Sequence, residues 1–251
     1  MGFERNSGRK ADELRTLKVT PGFIDWPGPA GRPEVVFNGS ALIEAGKTRV
    51  ICTAMVQDGV PPWLRGKGSG WVTAEYSMLP ASTPERTFRE AVAGKQKGRT
   101  LEIQRLVGRS LRSVVDLYRL GDRTVMVDCD VIQADGGTRC ASVSGAYVAL
   151  HLALKKLVDE QYIPELPLTD SVAAVSVGIC EGEPVLDLDY REDNAAEVDM
   201  NVVMTGSGKL VEVQATAEGA AFGRDALDRM IDLAAGGIET IAAAQLKAVA
   251  G

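Results

Sequence analysis

The chain has 251 residues, of which 45% are hydrophobic and 25% are charged, and its formal net charge is −6. This composition suits a globular protein with a sizeable core, and the acidic balance excludes a general attraction for nucleic acid, so any such binding must come from a local basic patch. No run approaches the roughly 18 apolar residues of a membrane span, and the charged first residues lack a signal segment, so we expect a cytoplasmic protein with no membrane partner.

The first part of the chain is predicted to alternate strands with glycine-rich loops. Residues 1–20 are charged and fit an arm or an edge strand, and residues 22–34 are rich in Gly and Pro, which is typical of a loop. Residues 35–56 give strand-like runs joined by tight turns, and another glycine-rich loop and strand follow. Within this region "AGKT" (45–48) resembles a phosphate loop, but the Walker pattern needs a glycine where Ala41 stands, so we interpret it as a hairpin turn.

A polar and basic segment follows at 80–100, and the apolar spacing over 100–118 predicts an amphipathic helix. Between residues 86 and 112 there are eight basic residues and only two acidic ones. Three of the arginines lie at i, i+4 and i+7 on one helix face: Arg105, Arg109 and Arg112. A solvated helix face paired with acids elsewhere explains this pattern. A phosphate-rich partner also explains it, because guanidinium groups bind phosphate bidentately and stack on bases.

The next strand leads into a bend that combines glycines with polar residues. Residues 123–135 alternate, with four apolar side chains facing one way and Asp128 and Asp130 the other. The stretch "QADGGTRCASVSG" (133–145) then predicts a turn and a helix that runs to about residue 159. Free N–H groups at a helix start favour an anion, and Thr138 and Arg139 add a hydroxyl and a positive charge. Because a plain turn needs only the glycines, we interpret this bend as an anion site.

The last third of the chain predicts two hairpins and a long helix. Residues 168–190 give two strands around a "CEGEP" turn, and residues 198–218 give two more around "GSGK". From Gly223 the chain is predicted to be helical to the end, with "AAGGIE" (234–239) as a break. Alternation of strands with long helices predicts an α/β fold with mixed sheets.

Acidic residues cluster between these hairpins, in "DLDYREDNAAEVDMN" (187–201). Asp187 and Asp189 are predicted to share one face of a strand, and Asp193, Glu197 and Asp199 follow. Two or three carboxylates can bind Mg²⁺, which keeps several waters and contacts substrate phosphate. A charged turn between strands has the same composition, and the spacing alone does not decide which carboxylates converge.

The single histidine and the four scattered cysteines limit the chemistry. His151 lies in an apolar helical run and is interpreted as a core or boundary residue, and one histidine excludes an HExxH or Cys/His zinc site. The cysteines lie among small or aliphatic neighbours, as buried reduced thiols do. The anion site, the arginine-rich face and the carboxylates together favour phosphoryl transfer on a polyanion, which depends on positioning and charge neutralisation.

Six longer stretches resemble the RNase PH family, whose members are bacterial phosphorolytic 3′→5′ exoribonucleases. They are "GWVTAEYSMLP" (70–80), "REAVAGKQKGRTLEIQRLVGRSLR" (89–112), "DCDVIQADGGTRCASVSGA" (128–146), "VAAVSVGI" (172–179), "DNAAEVDMNVVMT" (193–205) and "VEVQATAEG" (211–219). The resemblance implies the ribosomal-protein-S5-like α/β fold in a single RNase PH domain over 1–251. Its parts would be an N-terminal arm and insertion (1–34), a core half with the phosphate site (35–160) and a C-terminal half with the carboxylate site (161–251).

The resemblance also implies an activity and an assembly. Inorganic phosphate would attack the last phosphodiester of a tRNA precursor and release a nucleoside diphosphate, reversibly and with Mg²⁺. The residues so implied are Arg99, Gly137, Thr138 and Arg139 for phosphate, Asp193 and Asp199 for catalysis and metal, and Arg86, Arg89 and Arg105 for guiding RNA or building the ring. The ring would be a homohexamer built as a trimer of dimers.

The chain departs from the family pattern in two places. Ala81 stands where the family usually has an arginine, and Pro84 falls in a stretch that is usually "THTR"-like; extra residues lie at 25–33. These departures bear on RNA grip and ring assembly. The alternatives are a non-catalytic RNA-binding ring subunit, a hydrolytic Mg²⁺ nuclease and a small-molecule kinase. The intact site motifs argue against the first, the anion pocket against the second, and the failed "AGKT" pattern against the third.

Overall fold

The computed structural model describes residue 5, residues 7–24 and residues 37–250, so the extra residues at 25–33 lie outside the described part. Its strands are β1 (Leu17–Pro21), β2 (Phe37–Ala45), β3 (Thr48–Asp58), β4 (Trp71–Met78), β5 (Arg123–Gln133), β6 (Val172–Cys180), β7 (Glu183–Leu186), β8 (Val198–Thr205) and β9 (Leu210–Ala217). Its helices are α1 (Glu90–Ala93), α2 (Gly98–Arg112), α3 (Leu117–Leu120), α4 (Thr138–Asp159), α5 (Tyr190–Ala195) and α6 (Arg224–Val249).

The first sheet has five strands in the order β1-β2-β3-β5-β4. All of its pairs are antiparallel except β4 and β5, which run parallel and are connected through α2, a helix that packs on β4. β1 is the edge strand predicted within 1–20. β5 alternates as predicted, because Val125, Val127 and Val131 are buried while Asp128 and Asp130 lie on the opposite face.

The second sheet has four antiparallel strands in the order β7-β6-β8-β9. Both predicted hairpins are confirmed, since β6 and β7 meet at the "CEGEP" turn and β8 and β9 at "GSGK". All residues of β6 are buried because α4 covers one face of the strand and α6 the other.

Helix α4 lies between the two sheets and fixes their relative position. It packs against β2 and β3 of the first sheet and against β6 of the second. Small side chains such as Ser142, Ser144 and Ala146 are buried along it and let both sheets approach closely. All residues from 140 to 150 are buried, so this part of the helix is held rigidly and the start of α4 has a fixed position in the molecule.

The amphipathic helix predicted over 100–118 is shorter than expected. α2 ends at Arg112, and Val114 and Val115 then turn into the core. Val115 forms an antiparallel bridge with Leu168, which requires extended backbone. Helical periodicity could not detect this, because the buried valines continue the apolar spacing after the helix has ended.

The break predicted at "AAGGIE" is wrong, because α6 runs without interruption through Gly236 and Gly237. A Cβ on Gly237 would lie 2.8 Å from Cδ1 of Leu186, whereas a Cβ on Gly236 would meet nothing within 4 Å. Gly237 therefore allows α6 to approach β7 rather than ending the helix.

Among the helices of the described residues, none has the length and the apolar composition that crossing a membrane requires.

Candidate active site

The turn between β5 and α4 is the centre of the candidate site, and the predicted turn and helix start are confirmed. Gly136 and Gly137 have φ of 78° and 64°, a region that glycine adopts without strain. The Thr48 hydroxyl fixes the turn, since it donates to the Gly136 carbonyl at 2.7 Å and accepts from the Asp135 N–H at 2.9 Å. No side chain in the described ranges caps the first turn of α4. Its N–H groups and helix dipole are therefore open to an anion.

Arg139, in the first turn of α4, is held by two side chains that the sequence did not single out. Its Nη1 donates to Glu102 Oε1 of α2 at 3.1 Å and to the side-chain oxygen of Gln214 on β9. Only 13% of the arginine side chain is exposed. The guanidinium is therefore fixed in direction before any ligand binds. The only sequence signal for Glu102 and Gln214 was their place in stretches that resemble the family.

Thr138, the first residue of α4, is hydrogen-bonded to a residue on the first sheet. Its Oγ1 lies 3.0 Å from the hydroxyl of Tyr76 on β4. Arg99 lies close enough to Tyr76 to lower the pKa of the phenol, although burial outweighs this and raises that pKa overall. β4 and the start of α2 are thus brought to the same place as the turn before α4.

The carboxylate of Asp199 on β8 faces the groups just described. Burial, followed by the negative charge of Asp193, raises the pKa of Asp199 to about 6, and the positive charges of Arg139 and Arg99 oppose this rise. Within the described residues, Oδ1 of Asp199 is buried without a hydrogen-bond partner, while Oδ2 accepts a long bond of 3.4 Å from Asn201 Nδ2. The structure therefore brings a second carboxylate, Asp193, and two guanidinium groups close to Asp199.

The Asp193–Asp199 pair fits Mg²⁺ better than a transition metal. The described ranges contain no group of three or more His, Cys, Asp or Glu side chains that could hold a metal ion alone. Mg²⁺ is usually bound through one or two carboxylates together with waters and substrate phosphate. The unpartnered Oδ1 of Asp199 and the mutual repulsion of the two carboxyls are the features that a divalent cation would relieve.

The other acidic residues of the predicted cluster have structural contacts. β7 ends at Leu186, so Asp187 and Asp189 do not share a strand face, contrary to the prediction. Asp187 instead has φ of 55° and binds the buried guanidinium of Arg15, with Oδ1 2.7 Å from Nη2. Asp189 caps α5 by accepting from two backbone N–H groups, and Glu197 accepts from a backbone N–H in the β6–β7 turn. Both oxygens of Asp187 and one oxygen each of Asp189 and Glu197 are thus hydrogen-bonded within the fold.

The basic segment divides into paired and exposed arginines. Arg109 forms a salt bridge of 2.7 Å with Glu212, and Arg112 lies 4.4 Å over the ring of Trp71. Arg109 is thus paired with an acid, as the alternative of a solvated helix face predicted, whereas Arg112 packs on an aromatic ring instead of an acid. Besides Arg109, the arginines of the segment that are exposed to solvent are Arg86, Arg89, Arg99 and Arg105.

A cleft of about 480 Å³ lies beside Arg99, within the usual size range of ligand pockets. Basic residues from the segment before α2 line one side of it, including Arg89 and Lys97. The opposite side is the outer face of β4 and β5, where burial raises the pKa of Asp128 and Asp130. The cleft thus extends the candidate site from Arg99 toward the exposed arginines.

The structure confirms three interpretations made from the sequence: His151 as a core or boundary residue, the cysteines as buried thiols, and "AGKT" as a hairpin turn. His151 is partly buried on α4, where burial and Lys155 lower its pKa. It lies 13 residues after the helix start, or about 20 Å along the axis, so it takes no part in the site. The four cysteines are buried and unpaired. Gly46 of "AGKT" forms the β2–β3 hairpin turn.

Residues 13–155 match the model of the 3′ exoribonuclease family, domain 1, and residues 170–237 match that of domain 2. A ribonuclease PH from Syntrophomonas wolfei is 56% identical over 243 residues, which are 97% of this chain and 98% of that protein. The chain belongs to the RNase PH family. A second ribonuclease PH, from Neisseria meningitidis serogroup B, is 57% identical over 230 residues, which are 92% of this chain and 91% of that protein. The family and enzyme class predicted from the sequence are confirmed.

Solved structures confirm the predicted α/β RNase PH fold. A chain of the Archaeoglobus fulgidus exosome with RNA bound to the active site superposes with a TM-score of 0.76 at 22% identity, covering 95% of this chain and 91% of that one. Rice (Oryza sativa) Rrp46 superposes with a TM-score of 0.76 at 17% identity, covering 98% of this chain and 100% of its own. The fold of this chain is therefore also found in proteins of low sequence identity.

Proposed function

We propose that this RNase PH family member is a phosphorolytic 3′→5′ exoribonuclease, that is, a tRNA nucleotidyltransferase that trims the 3′ ends of tRNA precursors. Inorganic phosphate is the co-substrate, nucleoside diphosphates are released, and the reverse reaction adds nucleotides to an RNA 3′ end. The observation that carries the proposal is the convergence of Arg99, Arg139, Asp193 and Asp199 next to the open start of α4. Guanidinium groups suit phosphate, and paired carboxylates suit Mg²⁺.

Inorganic phosphate binds at the start of α4 in this proposal. Backbone N–H groups after Gly137 and the Thr138 hydroxyl donate to its oxygens, and Arg99 and Arg139 neutralise its charge. One phosphate oxygen attacks the phosphorus of the last phosphodiester. The bond from that phosphorus to the 3′ oxygen of the preceding nucleotide breaks, and the 3′ oxygen takes up a proton. No side chain has to act as a base, because phosphate is itself an anionic nucleophile.

Asp193 and Asp199 are the residues that would hold Mg²⁺. When bound, the ion neutralises charge on the scissile phosphate and on the leaving oxygen. Asp199 contributes the buried oxygen that has no partner in the described residues, and Asp193 lies close enough to share the same cation.

The exposed arginines beside the cleft guide the RNA in this proposal. Arg86 and Arg89 precede α1, and Arg105 lies on α2. All three belong to the basic segment that contains Arg99. Contacts from such side chains to phosphate are independent of base sequence, which suits an enzyme that removes any terminal nucleotide. Ala81 and Pro84 are exposed near this segment. Because Ala81 replaces the arginine that is usual in the family, RNA is bound more weakly there.

The division of the chain and its assembly are part of the same proposal. Residues 35–160 supply the phosphate site, residues 161–251 supply the carboxylates, and residues 1–34 form the N-terminal arm and insertion. The chain assembles as a homohexameric ring, a trimer of dimers, and works in the cytoplasm. Likeness of the fold to exosome chains supports a ring assembly.

Product analysis tests the proposed function. The protein and Mg²⁺ are incubated with an RNA that has a single-stranded 3′ end, with and without inorganic phosphate. We expect nucleoside diphosphates only when phosphate is present. Monophosphates without phosphate would mean a hydrolase, and intact RNA that remains bound would mean a non-catalytic subunit; either result would overturn the proposal. Arg139→Ala should raise the phosphate KM, whereas the matched control Arg109→Ala, which removes a surface arginine of α2, should not.

A further inference from the structure

Tyr76 is a buried residue beside the phosphate site whose hydroxyl has a single partner. Only 3% of the residue is exposed, and it lies on the inward face of β4. Within the described residues, the hydroxyl makes one hydrogen bond, of 3.0 Å, to Oγ1 of Thr138. Thr138 is itself 6% exposed, and its hydroxyl has no other partner there. The two hydroxyls therefore form an isolated pair at the start of α4.

The direction of this hydrogen bond follows from the partners that each hydroxyl has. If Thr138 donated to Tyr76, the phenol proton would be buried without an acceptor, which costs more than a typical hydrogen bond contributes. If Tyr76 donates to Thr138, the phenol is satisfied and the Thr138 proton remains unused. That proton is then available to an acceptor at the open helix start. Burial raises the pKa of Tyr76, so the phenol keeps its proton at neutral pH.

We propose that Tyr76 is a positioning residue for inorganic phosphate: its hydroxyl donates to Thr138 Oγ1 and thereby directs the Thr138 proton toward the phosphate. The inference rests on the proposed function, since it assumes that phosphate binds at the start of α4. A donor that is oriented before the ligand arrives requires no reorganisation on binding. The rigid setting supports this role, because the Tyr76 ring is in the core and α4 is fixed between the two sheets.

Steady-state kinetics with phosphate as the varied substrate tests the inference. Tyr76→Phe removes the donor and keeps the ring, so at saturating RNA we expect the phosphate KM to rise about three- to tenfold, the size of one neutral hydrogen bond. kcat and the RNA KM should change less than about twofold. Thr138→Val, which removes the hydroxyl, should raise the phosphate KM at least as much. Thr138→Ser, which keeps the hydroxyl, should leave the phosphate KM at the value of the natural protein. Tyr118→Phe, at a tyrosine that is 75% exposed on α3, is the matched control and should have no effect.

A double-mutant cycle separates positioning from a general effect on the fold. If Tyr76 acts through Thr138, the double variant of Tyr76→Phe and Thr138→Val should be no worse than Thr138→Val alone. Multiplicative effects, or an unchanged phosphate KM in Tyr76→Phe, would overturn the inference. A fall in kcat with an unchanged KM would do the same. These outcomes are distinct from failure of the proposed function, which would appear as monophosphate products or as activity independent of phosphate.

Discussion

Replacing Asp199 by asparagine should abolish activity and yet stabilise the folded protein when Mg²⁺ is absent. Burial and the charge of Asp193 raise the pKa of Asp199 from 3.8 to about 6. A shift of about two units corresponds to about 3 kcal/mol of unfolding free energy, and solvent screening of this partly buried side chain reduces it to about 1–2 kcal/mol. The raised pKa means that stability present below pH 4 is lost as the pH rises through about 6. Asparagine resembles the protonated acid, so the variant should keep that stability at high pH.

Thermal melting at pH 8 and at pH 4, with and without Mg²⁺, checks this prediction. At pH 8 without Mg²⁺, Asp199→Asn should melt about 2–8 °C above the natural protein, the shift expected for about 1–2 kcal/mol in a chain of this size. The difference should vanish at pH 4. Mg²⁺ should stabilise only the natural protein, because it binds the folded carboxylate pair. Asp232→Asn, the same change at an exposed position on α6, is the control. Equal melting at pH 8, or a Mg²⁺ response that survives in Asp199→Asn, would refute the reasoning.

Three further predictions follow from contacts in the structure. Arg139→Ala should lower kcat/KM for phosphate about 10- to 150-fold, the effect of losing a charged hydrogen bond, as measured with RNA saturating. Gly237→Ala should destabilise the fold by about 1–3 kcal/mol in urea unfolding because its Cβ would overlap a buried leucine, while Gly236→Ala should be neutral or stabilising by up to about 1 kcal/mol. Asp187→Asn should cost about 3–5 kcal/mol because it leaves the Arg15 guanidinium buried without its charge partner. Burial alone would raise the pKa of Asp187, but its hydrogen bonds and ion pair with Arg15 lower that pKa overall. The natural protein should therefore lose this stability as the pH falls below about 4, whereas Asp187→Asn should not show the loss.

Local rules were sufficient for the start of α4. Two consecutive glycines before a small-residue run indicate a turn with positive φ, and the helix that follows leaves its first N–H groups open. Period-two alternation gave β5 with the correct inward face. The same kind of rule failed at Gly237, because a glycine that breaks a helix and one that allows close packing look alike in a sequence. The deciding contact is with Leu186, on a strand far earlier in the chain.

The contacts that organise the site could not be predicted, because they join distant parts of the chain. Asp187 looked like a candidate metal ligand, but its partner Arg15 lies 172 residues away, and only the folded structure shows that its oxygens are occupied. Tyr76 and Thr138 are 62 residues apart, and Arg139 and Gln214 are 75 apart. Sequence patterns give the faces of helices and strands, whereas such pairings depend on how those faces pack in three dimensions.

The central claim is that inorganic phosphate is the nucleophile, and labelled phosphate tests it most directly. The protein, Mg²⁺ and an RNA with a single-stranded 3′ end are incubated with phosphate in which all oxygens are ¹⁸O, and the products are analysed by mass spectrometry. Attack by phosphate predicts nucleoside diphosphates whose terminal phosphate retains the full label, including the bridging oxygen. Unlabelled nucleoside monophosphates, formed at the same rate when phosphate is omitted, would contradict the account.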